Sequence, residues 1–99
     1  MDALEYLQSL SDTLFWDVNR ETVEPEKNQR FLICRVMDRG TREDVRNTFA
    51  YYSEAVVLKN LQEARSLDRK TIHYFANRYN LPFESFRAWS TLKIGNWQT

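Results

Sequence analysis

A chain of 99 residues has room for one domain, and its 42% hydrophobic and 28% charged residues are typical of a folded globular protein. With 2 glycines and 2 prolines it is poor in the turn residues of a strand-rich fold, so helices joined by short loops are expected. A single cysteine excludes an internal disulfide.

Charge is distributed unevenly although the formal net charge is zero. Residues 1–24 carry six acidic residues and one arginine, a net charge of −5, and the remaining residues carry a net charge of +5. We interpret this polarity as two oppositely charged ends of one surface. Two alternatives stay open: the acidic segment packs on the basic body, or the basic body meets an anionic partner.

No apolar run approaches the roughly 18 residues that a membrane span needs. Residues 1–5 also lack the basic and then apolar regions of a secretory signal. We therefore expect a cytoplasmic protein with no membrane partner.

The first predicted helix covers residues 2–10, where Leu4 and Leu7 recur at helical spacing. The apolar and aromatic run at residues 14–18 is too short to form a helix of its own. We interpret it as an irregular hydrophobic anchor laid across the helices. On this interpretation Phe15 and Trp16 are buried, because a short aromatic segment gains several kcal/mol only inside a core.

Pro25 suits the first turn of a second helix, which is predicted to run to about residue 39. Gly40 follows as a C-terminal cap with a positive φ angle. Phe31 falls on the far side of this helix, beside Arg35. The predicted buried stripe consists of Leu32, Ile33, Val36 and Met37.

Capping residues mark the later helices. Thr41 begins a helix to about residue 52, Ser53 one to about residue 65, and Asp68 one to residue 79 that Asn80 ends. Residues 83–90 form at most a short turn, and residues 91–99 give no clear helical signal and are expected to be a flexible tail. The predicted fold is all-α: a compact bundle of about five short helices in a single domain, residues 1–99.

The segment at residues 54–79 resembles a helix-turn-helix pair, with Leu67 packed in the turn and Ile72 inside. Its second helix presents polar and basic side chains of the kind that reach phosphates and base edges in the major groove. The alternative is an ordinary helix pair with a solvated face. The candidate nucleic-acid or partner-binding residues are Arg65, Arg69, Lys70, His73, Tyr74, Asn77 and Arg78.

Aromatic residues cluster late in the chain, at Phe83, Phe86, Trp89 and Trp97. Tryptophan concentrates binding energy at interfaces, so Trp89 and Trp97 are candidate partner-docking residues, with Trp97 expected to be exposed. The alternative is that these rings close a small core.

Catalytic and metal-binding patterns are missing from the sequence. One histidine, His73, and one cysteine, Cys34, exclude a metal site built from several His and Cys ligands. Two glycines exclude a phosphate-binding loop built on several of them. His73 near Asp68 or Ser66 is a poor catalytic candidate, because an isolated helical histidine is usually a surface or packing residue. We expect no enzyme activity, no catalytic residues and no cofactor or metal.

Several segments share an order and spacing that span roughly residues 14–87. They are Leu14-Phe15-Trp16-Asp17-Val18, Arg30-Phe31-x-Ile33-x-Arg35-Val36-x-x-Arg39-Gly40, Tyr51-Tyr52, and Glu63-Ala64-Arg65-x-Leu67-x-x-Lys70-Thr71 with a following Phe75. Together they resemble an uncharacterised family of small bacterial helical proteins, often encoded beside nucleotidyltransferase-like toxins of the abortive-infection type.

The resemblance implies an antitoxin-like or accessory protein-interaction module, with a nucleotidyltransferase-like toxin as its partner. The alternative function is a helix-turn-helix transcriptional regulator that binds DNA. A contiguous apolar patch would favour the first function. A strongly basic surface around Arg65, Arg69, Lys70 and Arg78 would favour the second.

Overall fold

Six α-helices form the bundle in the computed structural model, which describes the backbone of residues 1–97 and the side chains of residues 1–92. The helices are α1 (Ala3–Ser9), α2 (Gln29–Arg39), α3 (Arg42–Tyr51), α4 (Glu54–Glu63), α5 (Arg69–Arg78) and α6 (Arg87–Trp97). Three 3₁₀ turns connect them, at Asp12–Phe15, Arg20–Thr22 and Phe83–Ser85. Residues 1–97 contain no strand, so the predicted all-α class is confirmed.

Helix α2 lies at the centre of the bundle, where it packs against α3, α4 and the turn Asp12–Phe15. Its predicted stripe is confirmed at Leu32, Ile33 and Val36, which are fully buried, whereas Met37 is half-buried. None of the helices within residues 1–97 has the length and apolar character to cross a bilayer.

Side-chain caps begin α3 and α4 where the sequence predicts them. The Thr41 hydroxyl accepts a hydrogen bond from the Asp44 N–H, and the Ser53 hydroxyl accepts one from the Val56 N–H. Asn80 ends α5 in the left-handed conformation, with φ 53°, which a polar side chain such as asparagine tolerates. These three predictions are confirmed because each depends only on residues within one turn of the helix end.

Helix α2 begins at Gln29, so the prediction that it starts at Pro25 is wrong. The Asn28 side chain accepts a hydrogen bond from the Glu24 N–H at 2.9 Å, and this local bond closes a turn that competes with helix. The Pro25 carbonyl accepts a hydrogen bond from the Tyr52 hydroxyl at 2.6 Å, which holds the turn against the start of α4.

Gly40 follows α2 as predicted, but its backbone is extended (φ −77°, ψ 165°) and the predicted positive φ is wrong. A Cβ at Gly40 would lie 2.6 Å from the Val36 carbonyl oxygen and 3.0 Å from the Asp44 Cβ. Glycine is needed here because the chain approaches α2 and α3 closely, not because of its φ angle.

Asp68 precedes α5 as predicted, yet its side chain makes no capping hydrogen bond. Asp38, at the end of α2, accepts hydrogen bonds from the start of α5 instead. The Asp38 Oδ1 accepts hydrogen bonds from the Asp68 N–H at 3.1 Å and the Thr71 hydroxyl at 2.7 Å. This contact ties the end of α2 to the start of α5. The preceding helix, α4, ends at Glu63 and not at residue 65.

The tail forms helix α6, so the prediction of a non-helical tail is wrong through Trp97. Helix α6 packs on α4, on α5 and on the turn Phe83–Ser85, with Phe86 and Ala88 buried. These tertiary contacts stabilise a helix whose own sequence pattern is weak. Residues 98 and 99 and the Trp97 side chain lie outside the described part of the chain.

Only part of the anchor at residues 14–18 is buried. Leu14 and Phe15 are buried, but Trp16 is 74% exposed, so the prediction of its burial is wrong. The 3₁₀ turn ends at Phe15, and the next residue cannot face the same core. The outer face of Phe15 is covered instead by the Arg20 guanidinium, 4.3 Å from the ring centroid.

A buried carboxylate joins the N-terminal segment to the start of α3. Asp44 is 1% exposed and accepts hydrogen bonds from the Ser11 N–H (3.1 Å), the Ser11 hydroxyl (2.7 Å) and the Thr41 N–H (2.9 Å). Next to it, the fully buried Tyr6 and Thr48 share a hydroxyl hydrogen bond of 2.7 Å that packs α1 on α3. Together these bonds fix the N-terminal segment on the bundle.

We expect Asp44→Asn to lower the free energy of unfolding by about 1–3 kcal/mol. The introduced amide NH₂ cannot accept a hydrogen bond, so one of the two backbone N–H groups, of Ser11 or Thr41, loses its acceptor. Urea unfolding followed by circular dichroism measures the change. The control is Glu43→Gln, which alters only an exposed ion pair with Arg46 and should change stability by less than about 0.5 kcal/mol. Equal stability of the two variants would contradict the role assigned to Asp44.

Candidate functional site

Helix α5 exposes most of the predicted binding face. It buries Thr71, Ile72, Phe75 and Ala76 against the bundle, and the following Tyr79 is half-buried. Tyr74 is the most notable exposed residue, because 56% of this large ring is accessible. The other exposed candidates on α5 are Arg69, Lys70, Asn77 and Arg78, and Arg65 is exposed in the preceding loop.

His73 and Trp89 are half-buried because their rings pack against each other. His73 is half-buried, with its ring 4.6 Å from that of Phe83 and 5.9 Å from that of Trp89. The turn Phe83–Ser85 brings Phe83 back over α5, where it stacks on Trp89 at 4.8 Å. These rings join α5 to α6, so part of the surface of His73 and of Trp89 is covered. The Trp97 side chain, the other docking candidate, lies outside the described residues.

A groove runs between α3 and α5, mainly apolar at one end and of mixed polarity at the other, and we call it the α3–α5 groove. It consists of two cavities of about 490 and about 360 Å³ that share Val45, Tyr74 and Phe75. Arg42 and Lys70 line one end together with Met37. The residues that line the other end are Phe49, Glu54, Arg78 and Tyr79.

A second depression, which we call the arginine cleft, lies on the other side of α2. Its volume is about 360 Å³ and its lining includes Arg30, Arg35, Arg39 and Arg65. Two of these cations are compensated: Arg30 pairs with Glu63 at 2.5 Å, and Arg35 pairs with Asp17 at 2.9 Å. Arg39 and Arg65 are exposed.

Asp38 lines the arginine cleft and accepts hydrogen bonds from the start of α5, whose Thr71 lines the α3–α5 groove. Burial raises the pKa of the Asp38 carboxyl, which lies between the end of α2 and the start of α5. Basic side chains come from all the segments around this contact. They are Arg39, Arg42, Arg65, Arg69 and Lys70.

Trp16 stands on a turn that is fixed on both sides. The Leu14 carbonyl oxygen accepts a hydrogen bond from Arg35 Nη1 at 3.0 Å, and Asp17 receives two from the same guanidinium, at 2.9 and 3.1 Å. The hydrogen bond from Arg35 lowers the pKa of Asp17, so this pair is charged at neutral pH. Arg35 itself lies 4.8 Å from the ring centroid of Phe31, which confirms the predicted proximity of Arg35 and Phe31.

Sequence reasoning did not select Trp16 as a site residue because it treated residues 14–18 as one buried unit. The consecutive positions of three apolar residues indicate that one of them is exposed. Leu14, Phe15 and Trp16 are consecutive, and three consecutive side chains on one turn cannot all point towards the same core.

Polar groups suited to covalent or metal chemistry are scarce among the described residues. No group of three or more His, Cys, Asp or Glu side chains there is placed to hold a metal ion. Every buried side-chain nitrogen and oxygen in the same part of the chain has a hydrogen-bond partner. Cys34 lines the arginine cleft, where burial raises the pKa of its thiol to about 11. The thiol therefore stays protonated at neutral pH.

We expect Cys34 to react about a hundredfold more slowly with iodoacetamide in the native protein than in urea at pH 8. The reactive species is the thiolate, and a pKa raised to about 11 lowers its fraction at every pH below that value. Mass spectrometry of the alkylated protein gives both rates. The native rate should rise with pH up to about 11, and equal rates with and without urea would contradict this assignment.

Residues 10–61 of the chain match the model of a family of unknown function (DUF6922). No curated protein and no solved structure matches the chain. The matched region contains Trp16, Asp44 and all of α2 and α3, whereas α5 and α6 lie beyond it.

Proposed function

The chain belongs to this DUF6922 family, and we propose that it is a non-catalytic, antitoxin-like or accessory protein-interaction module of the bacterial cytoplasm. The observation that carries the proposal is the exposed Trp16. An indole that is 74% accessible leaves a large apolar surface in water, and burial against a partner would recover that free energy. Tryptophan is among the residues that contribute most at protein interfaces.

The turn that carries Trp16 is held firmly by the rest of the fold, which favours tight binding. Leu14 and Phe15 are anchored in the core, and Asp17 is held by Arg35 through two hydrogen bonds. Because the turn is already ordered, a partner would not have to immobilise it, and less binding free energy is lost to conformational entropy.

The charge around Trp16 indicates the character of the partner surface. Trp16 lies within the acidic segment, residues 1–24, whose net charge is −5, although the aspartates closest to it in sequence are paired, Asp12 with Arg20 and Asp17 with Arg35. A basic surface would complement this segment. An enzyme that handles nucleotides needs positive charge where its anionic substrate binds. We therefore propose the nucleotidyltransferase-like toxin implied by the family resemblance as the partner, with the acidic segment facing its basic surface.

We expect Trp16→Ala to weaken binding to the neighbouring nucleotidyltransferase-like protein by roughly thirtyfold, which corresponds to a hot-spot loss of about 2 kcal/mol. Stability should change by less than about 0.5 kcal/mol because the side chain is exposed. Calorimetric titration of the two purified proteins, with urea unfolding of each variant, measures both quantities.

The control is Thr13→Ala, an exposed residue of the same turn, which should bind like the wild type. Wild-type affinity of the Trp16→Ala variant would remove the proposed role of this residue. The absence of any complex between the wild-type proteins would remove the proposed partner.

A second candidate function, DNA binding, is supported by the basic side chains around the Asp38–Asp68 contact. Arg65, Arg69 and Lys70 all belong to this group, and they were three of the four residues singled out for a DNA-binding surface. The packing of the helices gives less support to a helix-turn-helix, because α4 and α5 do not pack mainly on each other. Helix α4 packs mainly on α2 and α6, and helix α5 packs mainly on α6 and the turn Phe83–Ser85. The basic surface, not a helix-turn-helix contact, therefore carries this candidate.

Gel-shift titration against a duplex of the chain's own promoter, at two salt concentrations, tests DNA binding. If DNA is the ligand, replacing both Arg65 and Lys70 by alanine should weaken binding to all sequences and lower the salt slope by about one unit per lost phosphate contact. Lys59→Ala, an exposed residue of α4, is the matched control. A protein-binding module predicts only weak and unselective binding of the wild type, and a promoter-specific complex at physiological salt would favour DNA binding instead.

A further inference from the structure

The α3–α5 groove is an interaction surface separate from Trp16, and we infer that it binds an amphipathic helix of a partner protein whose apolar stripe is flanked by acidic residues. The basis is the juxtaposition of an apolar floor with cationic side chains at its ends. This inference does not depend on the role proposed for Trp16.

Side chains of α3 and α5 form the floor of the groove, and the two helices leave an open space above it. Val45 and Phe49 are one turn apart on α3, and Phe75 projects from α5 to within 6.4 Å of Phe49, measured between ring centroids. Met37, from the end of α2, extends the floor at one end. Tyr74 forms a wall with more than half of its surface accessible. This floor offers an apolar ligand several contiguous side chains.

The dimensions of the groove fit about two turns of helix. Its two cavities adjoin at Val45, Tyr74 and Phe75, and its lining on α5 extends from Lys70 to Arg78. At 1.5 Å per residue this stretch is about 12 Å long, and a helix laid along it would place residues i, i+3, i+4 and i+7 on the floor. Addition of a strand is the other common mode of peptide recognition, but residues 1–97 have no sheet edge to support it.

The charges at the groove ends favour acidic residues on the bound helix. Arg42 and Lys70 line the first end, where no acidic side chain shares the lining. At the second end Arg78 lies with Glu54, whose carboxylate already accepts a hydrogen bond from the Tyr79 hydroxyl at 2.9 Å. An acidic helix would therefore be attracted most strongly to the end at Arg42 and Lys70. A nucleic-acid backbone could use these cations but would gain nothing from the apolar floor.

The chain's own acidic helix is not available as the occupant. Helix α1 packs on a different side of α3, where Tyr6 is hydrogen-bonded to Thr48 and stacks on Tyr51 with ring centroids 4.8 Å apart. Val45 and Phe49, which line the groove, lie on the side of α3 that faces α5. Helix α1 is therefore not the occupant of the groove.

The test uses two fluorescein-labelled peptides of 15 residues as probes. Both carry leucine at the i, i+3, i+4 and i+7 positions, and they differ only in having all flanking residues glutamate or all lysine. Fluorescence anisotropy with the full chain measures both affinities. We expect the acidic peptide to bind at least tenfold more tightly than the basic peptide, and its binding to shift the amide resonances of Val45 and Phe75.

Charge reversal at the groove provides the decisive comparison. Arg42→Glu combined with Lys70→Glu should reverse the preference between the two peptides, whereas Lys59→Glu, on the exposed side of α4, should leave it unchanged. Thermal unfolding of each variant verifies that the bundle is intact. Trp16→Ala should bind the acidic peptide like the wild type, so failure of the function proposed for Trp16 would be distinguishable from failure here.

Three results would overturn the inference. The first is no preference for the acidic peptide, or a preference that survives charge reversal. The second is displacement of the bound peptide by a 20-base-pair DNA duplex, which would assign the groove to nucleic acid. The third is sedimentation showing a dimer whose formation excludes the peptide, which would assign the groove to a second copy of the chain.

Discussion

The hydrogen bonds of the buried Asp44 carboxylate are the constraint on which the arrangement of the surfaces depends. A buried carboxylate is unfavourable unless donors surround it, and here Ser11 and Thr41 supply three. Ser11 belongs to the N-terminal segment, and Thr41 begins α3 directly after Gly40. The same side chain therefore sets where the turn carrying Trp16 begins and how α3 leaves α2. Gly40 permits this arrangement because any larger residue would collide with Val36 and Asp44.

Two surfaces of opposite charge result from this arrangement. Trp16 lies in the acidic segment, and the α3–α5 groove lies in the basic body of the chain. The Asp17–Arg35 pair connects the acidic segment to α2, so the segment is fixed on the body and its remaining acidic residues stay at the surface. A protein with two such surfaces has the means to contact one partner at two places or two partners at once.

The family match covers the turn of Trp16 fully and the α3–α5 groove only in part. Residues 10–61 contain the turn of Trp16 and the α3 side of the groove, whereas the α5 side comes from residues beyond the match. The turn that carries Trp16 is thus contained entirely in the matched region. The groove combines this region with a part of the chain that the family model does not cover.

The sequence by itself determined the helical class, the caps at Thr41, Ser53 and Asn80, and the inward stripe of α2. Each of these depends on residues within one or two turns of each other, so local hydrogen bonding and periodicity decide them. The start of α2 and the helical tail depended on partners distant in sequence, such as Tyr52 for Pro25 and α4 for α6. Only the tertiary structure covered His73 with Phe83 and opened the groove between α3 and α5, because both outcomes are set by the elements that pack nearby.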